Sequence, residues 1–346
     1  MRNEKPEGEL RNGWTTGACA TAAVKAAYTA LLTGAFPNPV SITLPKGEQP
    51  SFPLALAEKG EGWARVGITK DAGDDPDVTH GALVVATVRP GGTGLRFKAG
   101  DGVGTVTKAG LLVAVGEPAI NPIPRQMMAA EIAALGGRDL EIEISIPDGV
   151  AIALKTWNGR LGIVGGLSIL GTTGVVHPYS CAAWIASIHR GIDVARANGI
   201  AHVAGCTGST SEDTVRKHYG LPLEAMLDMG DFAGGVLKYL RSHPVPRVTI
   251  GGGFGKMVKL AQGAMDLHSG RSQVDFLWLA QLAPKNFSRE VVEANTAGQI
   301  LDIVGPSIAG EVARLALQSV NKVLAGASKA DVIVVDRSGQ IVGYAA

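Results

Sequence analysis

From about residue 198 onward, short apolar stretches alternate with helical segments, and this alternation restricts the folds open to the chain more than any other feature. His202-Val-Ala-Gly-Cys206 reads as a strand, and Thr207-Gly-Ser-Thr-Ser-Glu212 as the cap of the helix after it. Arg247-Val-Thr-Ile250 is a second strand, followed by a glycine loop, Gly251-Gly-Gly-Phe-Gly-Lys256, and another helix. A long helix, about Ile308 to Leu324, precedes the late strand Asp331-Val-Ile-Val-Val-Asp336. Strands that return by way of helices lie parallel, so residues 198–346 are expected to form a small α/β domain with a parallel sheet.

Residues 1–197 have a different texture. Short strand candidates at Val40–Leu44, Phe52–Ala57, Ala64–Ile68, Ala82–Val88 and Leu95–Ala99 are separated by glycine or proline. Helices are expected from Trp14 to about Leu32, from Arg125 to about Leu135, and from Tyr179 to Asn198, where Gly199 stops the last one. Leu140 to Ile146 alternates Glu and Ile, the period of a half-buried strand. This half is expected to be an α+β domain, so the chain is two-domain, with its boundary at 197/198.

Within the first half, Lys70-Asp-Ala-Gly-Asp-Asp-Pro-Asp-Val-Thr-His-Gly81 places Asp71, Asp74, Asp75 and Asp77 between two strand candidates. Gly73 and Pro76 make it a loop, and loops held by rigid elements are where chemistry is commonly mounted. Two carboxylates ~6 Å apart repel by roughly 3 kcal/mol at an effective dielectric of about 20. Hydrogen bonds from the loop, a cation, a metal or a raised pKa must offset that repulsion. The simpler alternative is a solvated turn whose aspartates cap their own backbone.

Three helices are expected to open on Thr-Gly-rich turns, at Thr15–Gly17, Thr172–Gly174 and Thr207–Ser211. Free N–H groups at helix starts attract anions, which suits a ligand with several carboxylates or phosphates, although plain capping explains the turns as well. The glycine loop is not a Walker A motif, because Ile250 stands where glycine is needed and Met257 where Ser or Thr is needed. A strand–glycine–helix unit for an adenosine-containing cofactor stays open, since it needs close backbone approach and no lysine.

Composition excludes several classes of function. A net charge of +1 with 18% charged residues gives no large basic face for nucleic acid, and 5% aromatics give no stacking platform. No apolar run reaches the length of a membrane span, and the polar first ten residues lack the apolar core of a signal peptide. Cys19, Cys181 and Cys206 are widely spaced and odd in number, and read as reduced thiols of a cytoplasmic protein. His177, His202, His243 and His268 lack metal-ligand spacing, so no protein-bound metal is expected.

Taken together, Gly13-Trp-Thr-Thr-Gly-Ala-Cys-Ala-Thr-Ala-Ala, the Lys70–Gly81 loop, Gly102-Val-Gly-Thr-Val-Thr-Lys108, Gly116-Glu-Pro-Ala-Ile-Asn-Pro-Ile-Pro-Arg125 and Gly171-Thr-Thr-Gly174 resemble the cobalt-precorrin-5B C1-methyltransferase family of CbiD type. Gly253-Phe-Gly-Lys-Met-Val-Lys-Leu-Ala261 and His268-Ser269 extend the resemblance along nearly the whole chain. Ala18, Cys206 and Ser209 depart from the family pattern. The resemblance implies methylation of C1 of cobalt-precorrin-5B to cobalt-precorrin-6A in cobalamin biosynthesis, with S-adenosyl-L-methionine as donor. It also implies a first domain similar to a permuted ribosomal S5 domain 2.

On that reading Asp74, Asp75 and His80 are the acid–base candidates. Thr15, Thr16, Gly17, Lys70, Lys108, Asn121 and Arg125 are expected to meet the carboxylates of the tetrapyrrole. Gly205, Thr207, Gly208, Gly251, Gly252, Gly253 and Gly255 are expected to hold the cofactor, with Thr172–Gly174 as the rival place. His80 is also a candidate ligand for the substrate's cobalt. The expected partner is this small molecule, with no nucleic acid and no membrane. Transient contacts with other corrin-pathway enzymes, and the oligomeric state, stay open. The alternatives are a non-catalytic carrier of tetrapyrrole intermediates and a metabolite kinase of S5-like topology, the latter weakened by the missing phosphate loop.

Overall fold

The computed structural model describes residues 8–137 and 139–346. It divides into two compact units that meet in sequence at Ser180 and Cys181.

The first unit is built on a five-stranded sheet of β1 (Leu56–Gly60), β2 (Trp63–Thr69), β3 (Leu83–Pro90), β4 (Leu95–Ala99) and β5 (Leu140–Ser145), in the order β1-β2-β3-β5-β4. All neighbours are antiparallel except β4 and β5. The alternation in β5 buries Leu140, Ile142 and Ile144 and turns Glu141 and Glu143 to the other face. Helices α1 (Thr16–Thr33) and α2 (Pro122–Ala134) pack together, with α1 lying on β2 and β3. Alanine-rich α1 is buried almost all round, because its small side chains admit close neighbours on several sides. A Cβ on Gly17 would lie only 2.7 Å from Pro124 at the start of α2.

Two expected strands shrink. Val40–Leu44 and Phe52–Ala57 contribute only the pair Val40–Ser41 with Ser51–Phe52 before β1 begins. Pro39, Pro45, Pro50 and Pro53 withhold the N–H groups that longer ladders need. Thr172–Gly174 opens no helix; it leads into Val175–Val176, paired antiparallel with Gly13–Trp14.

The second unit begins with α3 (Cys181–Ala197), so the division falls before this helix rather than after it, at 197/198. The reason is its apolar stripe, Ile188, Ile192, Val194 and Ala195, which is buried while the helix packs against α5 (Ala233–Ser242). His189 also stacks on Tyr239 of α5, with ring centroids 3.9 Å apart. The sheet contains β6 (His202–Cys206), β7 (Met226–Leu227), β8 (Arg247–Gly253), β9 (Lys329–Val335) and β10 (Ile341–Ala345), in the order β7-β6-β8-β9-β10. The first four are parallel and β10 is antiparallel, which agrees with the parallel sheet expected here. From β6 the chain passes through α4 (Ser209–Tyr219) outward to β7, then through α5 back across to β8. Right-handed crossovers in opposite directions put those helices on opposite faces, so the sheet has a switch point between β6 and β8.

The stretch expected as a glycine loop is instead mostly strand. Gly251, Gly252 and Gly253 are the last residues of β8, paired with Ile333, Val334 and Val335, and α6 (Phe254–Ala261) starts at once. A Cβ on Gly251 would meet Val215 at 2.7 Å, and one on Gly252 would meet Met257 at 2.5 Å. These two glycines let helices α4 and α6 close on a central strand. The long helix α7 (Pro306–Leu324) packs on α6 and β9.

Candidate active site

The acidic loop joins β2 to β3, and each of its four aspartates has a partner. Asp71 takes Arg11 in a two-pronged grip, Nη1 to Oδ2 at 2.6 Å and Nη2 to Oδ1 at 2.9 Å, and also accepts the Gly73 N–H. The Arg11 bonds, with that N–H, hold the Asp71 carboxyl down to about 2. Asp74 accepts the Arg11 main-chain N–H at 2.6 Å, and Asp75 accepts the Tyr179 N–H at 2.8 Å. Tyr179 has φ 56°, a left-handed backbone that costs a non-glycine residue energy, so the Asp75 bond fixes a strained position.

Asp77 accepts from Lys70 Nζ at 2.6 Å and from both the N–H and hydroxyl of Thr79. Burial would raise the Asp77 carboxyl, but the Lys70 charge and these hydrogen bonds outweigh it and hold it below the ordinary range. The Lys70 side chain is only 2% exposed. It lies under the loop as the counter-charge of Asp77. His80 is exposed, and its Nδ1 accepts the Ala72 N–H at 3.1 Å. In its neutral form, therefore, Nε2 carries the proton and His80 presents a donor.

The start of α1 spends its donors inside the fold. The Thr15 side chain caps the helix by accepting from Ala18 N–H, while Gly17 N–H donates to Leu170 O at 3.0 Å. Thr16 Oγ1 donates to Leu170 O and accepts the Leu170 N–H, and Thr15 and Thr16 are buried. Asn121 sits just beyond, at the N-cap of α2, with its N–H on Ile169 O and no side-chain cap bond. Pro122 and Pro124 have no N–H, so α2 offers no donor cluster for an anion. The Arg125 guanidinium donates to Ile120 O and Pro118 O, and pairs with Glu117 at 3.3 Å. Lys108 is half-buried, with its stem packed on Gly162.

The cofactor candidates meet at the carboxyl ends of β6 and β8, where Thr207 N–H donates to Gly251 O at 3.0 Å. They fall into two sets. Cβ atoms on Gly205, Gly251 and Gly252 would strike Met229, Val215, and Met257 with Thr207. By contrast, Cβ atoms on Gly208 and Gly253 would meet nothing within 4 Å, and one on Gly255 would meet only Ala297 at 3.3 Å. The second set borders open space at the switch point, where ligands of doubly wound sheets bind. At Gly208 and Gly253 the backbone is therefore open to close approach, as a bound cofactor would need.

Arg11, Asn12 and Tyr179 belong to the site although the sequence pattern does not single them out. Arg11 and Asn12 directly precede the Gly13–Gly17 motif, and that adjacency was the available signal. Asn12 Oδ1 lies 3.2 Å from His177 Nδ1, so the loop, residues 11–17 and residues 170–179 form one polar cluster within the first unit. Among the described residues, no group of three or more His, Cys, Asp or Glu could hold a metal ion. Nor is any described helix long and apolar enough to cross a membrane.

Fold and sites together define a two-domain protein, an α+β unit with a charge-paired acidic loop and an α/β unit whose parallel sheet carries open glycines beside its switch point. The chain belongs to the CbiD family, whose pattern matches residues 3–178, with the CbiD C-terminal domain matching residues 266–346. It is 62% identical to the cobalt-precorrin-5B C(1)-methyltransferase of Paramagnetospirillum magneticum, over 98% of this chain and 99% of that one. The protein of the same name from Brucella canis is 60% identical over 98% and 97%. Among solved structures, a 1.9 Å crystal structure of the cobalamin biosynthesis protein (cbiD) from Archaeoglobus fulgidus is 29% identical, covering 77% of this chain and 84% of that one with a TM-score of 0.42.

Proposed function

We propose that this chain methylates C1 of cobalt-precorrin-5B, giving cobalt-precorrin-6A in cobalamin biosynthesis. The observation that carries the reading is identity of 60–62% to methyltransferases of that name across nearly the full length of both partners. The methyl donor in this reading is S-adenosylmethionine, which when bound supplies a methyl group activated by its sulfonium. Gly208, Gly253 and Gly255 admit it at the switch point, while Gly205, Thr207, Gly251 and Gly252 shape the strand ends behind them. Asp74 is the base that takes the proton lost as the macrocycle rearranges, and Asp75 holds the loop against Tyr179. His80 donates from Nε2 to the macrocycle. Lys108 and Asn121 meet its carboxylates, with Thr15, Thr16, Gly17, Lys70 and Arg125 building the surface from which these groups project.

We also read the first unit as a permuted ribosomal S5 domain 2-like fold, supported by two helices packed with a mainly antiparallel sheet. The same reading places the protein in the reducing cytoplasm, in keeping with its three free thiols.

The test is turnover with cobalt-precorrin-5B and S-adenosylmethionine, followed by mass spectrometry. Asp74→Asn is expected to lower kcat by about 10²-fold or more with an unchanged unfolding midpoint. Wild-type protein that binds the tetrapyrrole yet transfers no methyl group would leave a carrier, and the proposal would fall.

A further inference from the structure

We propose that Asp228 is the carboxylate that takes the ribose hydroxyls of an adenosine ligand at the switch point. The inference rests on the reading of this edge as the cofactor site and assigns a residue that the sequence pattern did not single out.

Position is the first argument. β7 is the outer neighbour of β6, with Gly205 paired to Leu227, so the residue following β7 comes level with the end of β6. That residue is Asp228, and it stands 20 positions (228 minus 208) after Gly208, the open glycine of the first strand–helix turn. In dinucleotide-binding sheets an acidic residue about 20 positions beyond the glycine turn, at the end of the second strand, reads the ribose. The same arrangement recurs here without a complete glycine fingerprint, since only Gly205 and Gly208 flank the turn.

The turn that carries Asp228 is held from two sides. Gly230 N–H donates to Cys206 O at 3.1 Å, tying the turn to the end of β6. The Trp184 indole N–H donates to Asp228 O at 2.8 Å from the other side. Gly230 has φ 55°, and a Cβ there would lie 3.0 Å from the Trp184 ring, so the turn is fixed where it stands.

Two other carboxylates near this edge are set apart by burial or by their place in a hairpin. Asp231 is buried and ion-paired with Lys256, and Asp336 closes its own hairpin by accepting from Ser338 and Gln340. Asp228 has an interaction partner of its own, so what marks it is its place and its half-exposure rather than a vacant charge. A carboxylate has two acceptor oxygens, which match the two O–H donors of a vicinal diol.

The test is calorimetry with S-adenosylhomocysteine and its 2′-deoxy analogue on wild type, Asp228→Ala and Asp228→Asn. Asp228→Ala is expected to weaken the parent ligand by about 10- to 100-fold. Wild type should lose affinity for the deoxy analogue, and Asp228→Ala should then show little further loss. Near-UV circular dichroism checks the fold, and if the alanine variant does not fold, the asparagine variant is read in its place. A variant that binds the parent ligand within twofold of wild type, or penalties that add in full, would overturn the assignment while leaving the cofactor site intact. Wild type that fails to bind S-adenosylhomocysteine at all would overturn both.

Discussion

Replacing Lys70 with methionine separates two roles that the sequence leaves entangled, substrate ligand and structural counter-charge. The Lys70 side chain is 2% exposed and its Nζ lies 2.6 Å from Asp77 Oδ2, whereas the Asp77 side chain is 25% exposed. Breaking a buried ion pair costs about 3–5 kcal/mol, mostly the penalty of the charge left behind. In Lys70→Met that charge is Asp77, which keeps partial hydration and two bonds from Thr79. Methionine also fills the space of the lysine stem, so the expected loss is about 2–3 kcal/mol.

Asp77→Asn leaves the lysine charge instead, nearly sealed from water, and should cost more, about 3–5 kcal/mol. The double variant should recover about 1–2 kcal/mol of the summed losses, because neither charge is then stranded. Urea unfolding of the three variants measures these values, with substrate affinity recorded alongside. If Lys70→Met stays within about 0.5 kcal/mol of wild type while substrate binding drops tenfold, Lys70 contacts the ligand and the structural account is wrong.

Three more outcomes can be checked. Burial pushes the Cys19 thiol up to about 12, and Cys206 is also buried, so a thiol reagent at pH 8 should react quickly with half-exposed Cys181 alone and with the other two only on unfolding; a second fast thiol would contradict the packing of α1 or β6. Because the folded-state Asp71 carboxyl lies at about 2, below its unfolded value near 4, its stabilising effect is present above pH ~4 and is lost as pH falls towards 2. Arg11→Ala should flatten that acid limb only slightly, since the pair is exposed and screened by solvent, and an unchanged acid titration would remove Arg11 as the cause. Asp75→Ala should destabilise by about 1–2 kcal/mol through the lost Tyr179 bond. Asp75→Asn, which still accepts, should recover most of it; equal losses in the two variants would show that the Tyr179 bond is not the cause.

The α/β unit was the most legible part of the chain, because its strand–helix period is local and its topology follows from handedness. Its boundary was less so. Helix α3 carries no mark saying which unit its stripe of Ile188 and Ile192 will enter; only the partner helix decides that. The strands around Pro45 and Pro50 are shorter than their apolar runs suggest, because the prolines remove N–H groups that a longer ladder needs.

The charged residues show why site assignment is harder than fold. Lys70 and Arg125 look alike in sequence, as cations in motifs flanked by glycine and proline, and both suit a polyanionic substrate. The fold uses each of them, Lys70 for Asp77 and Arg125 for the carbonyls of Pro118 and Ile120. The helix start at Thr15–Gly17 follows the same logic, since its donors end on Thr15 and Leu170. A cation or N–H becomes a candidate for a ligand only after the demands of its own unit are met, and those demands come from residues as distant in sequence as Leu170 is from Thr16. Glycines can be sorted more directly, because the structure asks a single question of each: whether a Cβ would strike protein or open space. That question separates Gly251 and Gly252, which the packing of α4 and α6 requires, from Gly208 and Gly253, which it does not. Gly253→Ala should therefore leave stability within about 0.5 kcal/mol of wild type, because φ there is −66° and nothing stands in the way. If a ligand lies against that backbone, the same methyl group should weaken S-adenosylhomocysteine binding by about tenfold or more, the scale of 1.4 kcal/mol of lost contact. Unchanged affinity in a variant of unchanged stability would move the ligand away from the end of β8.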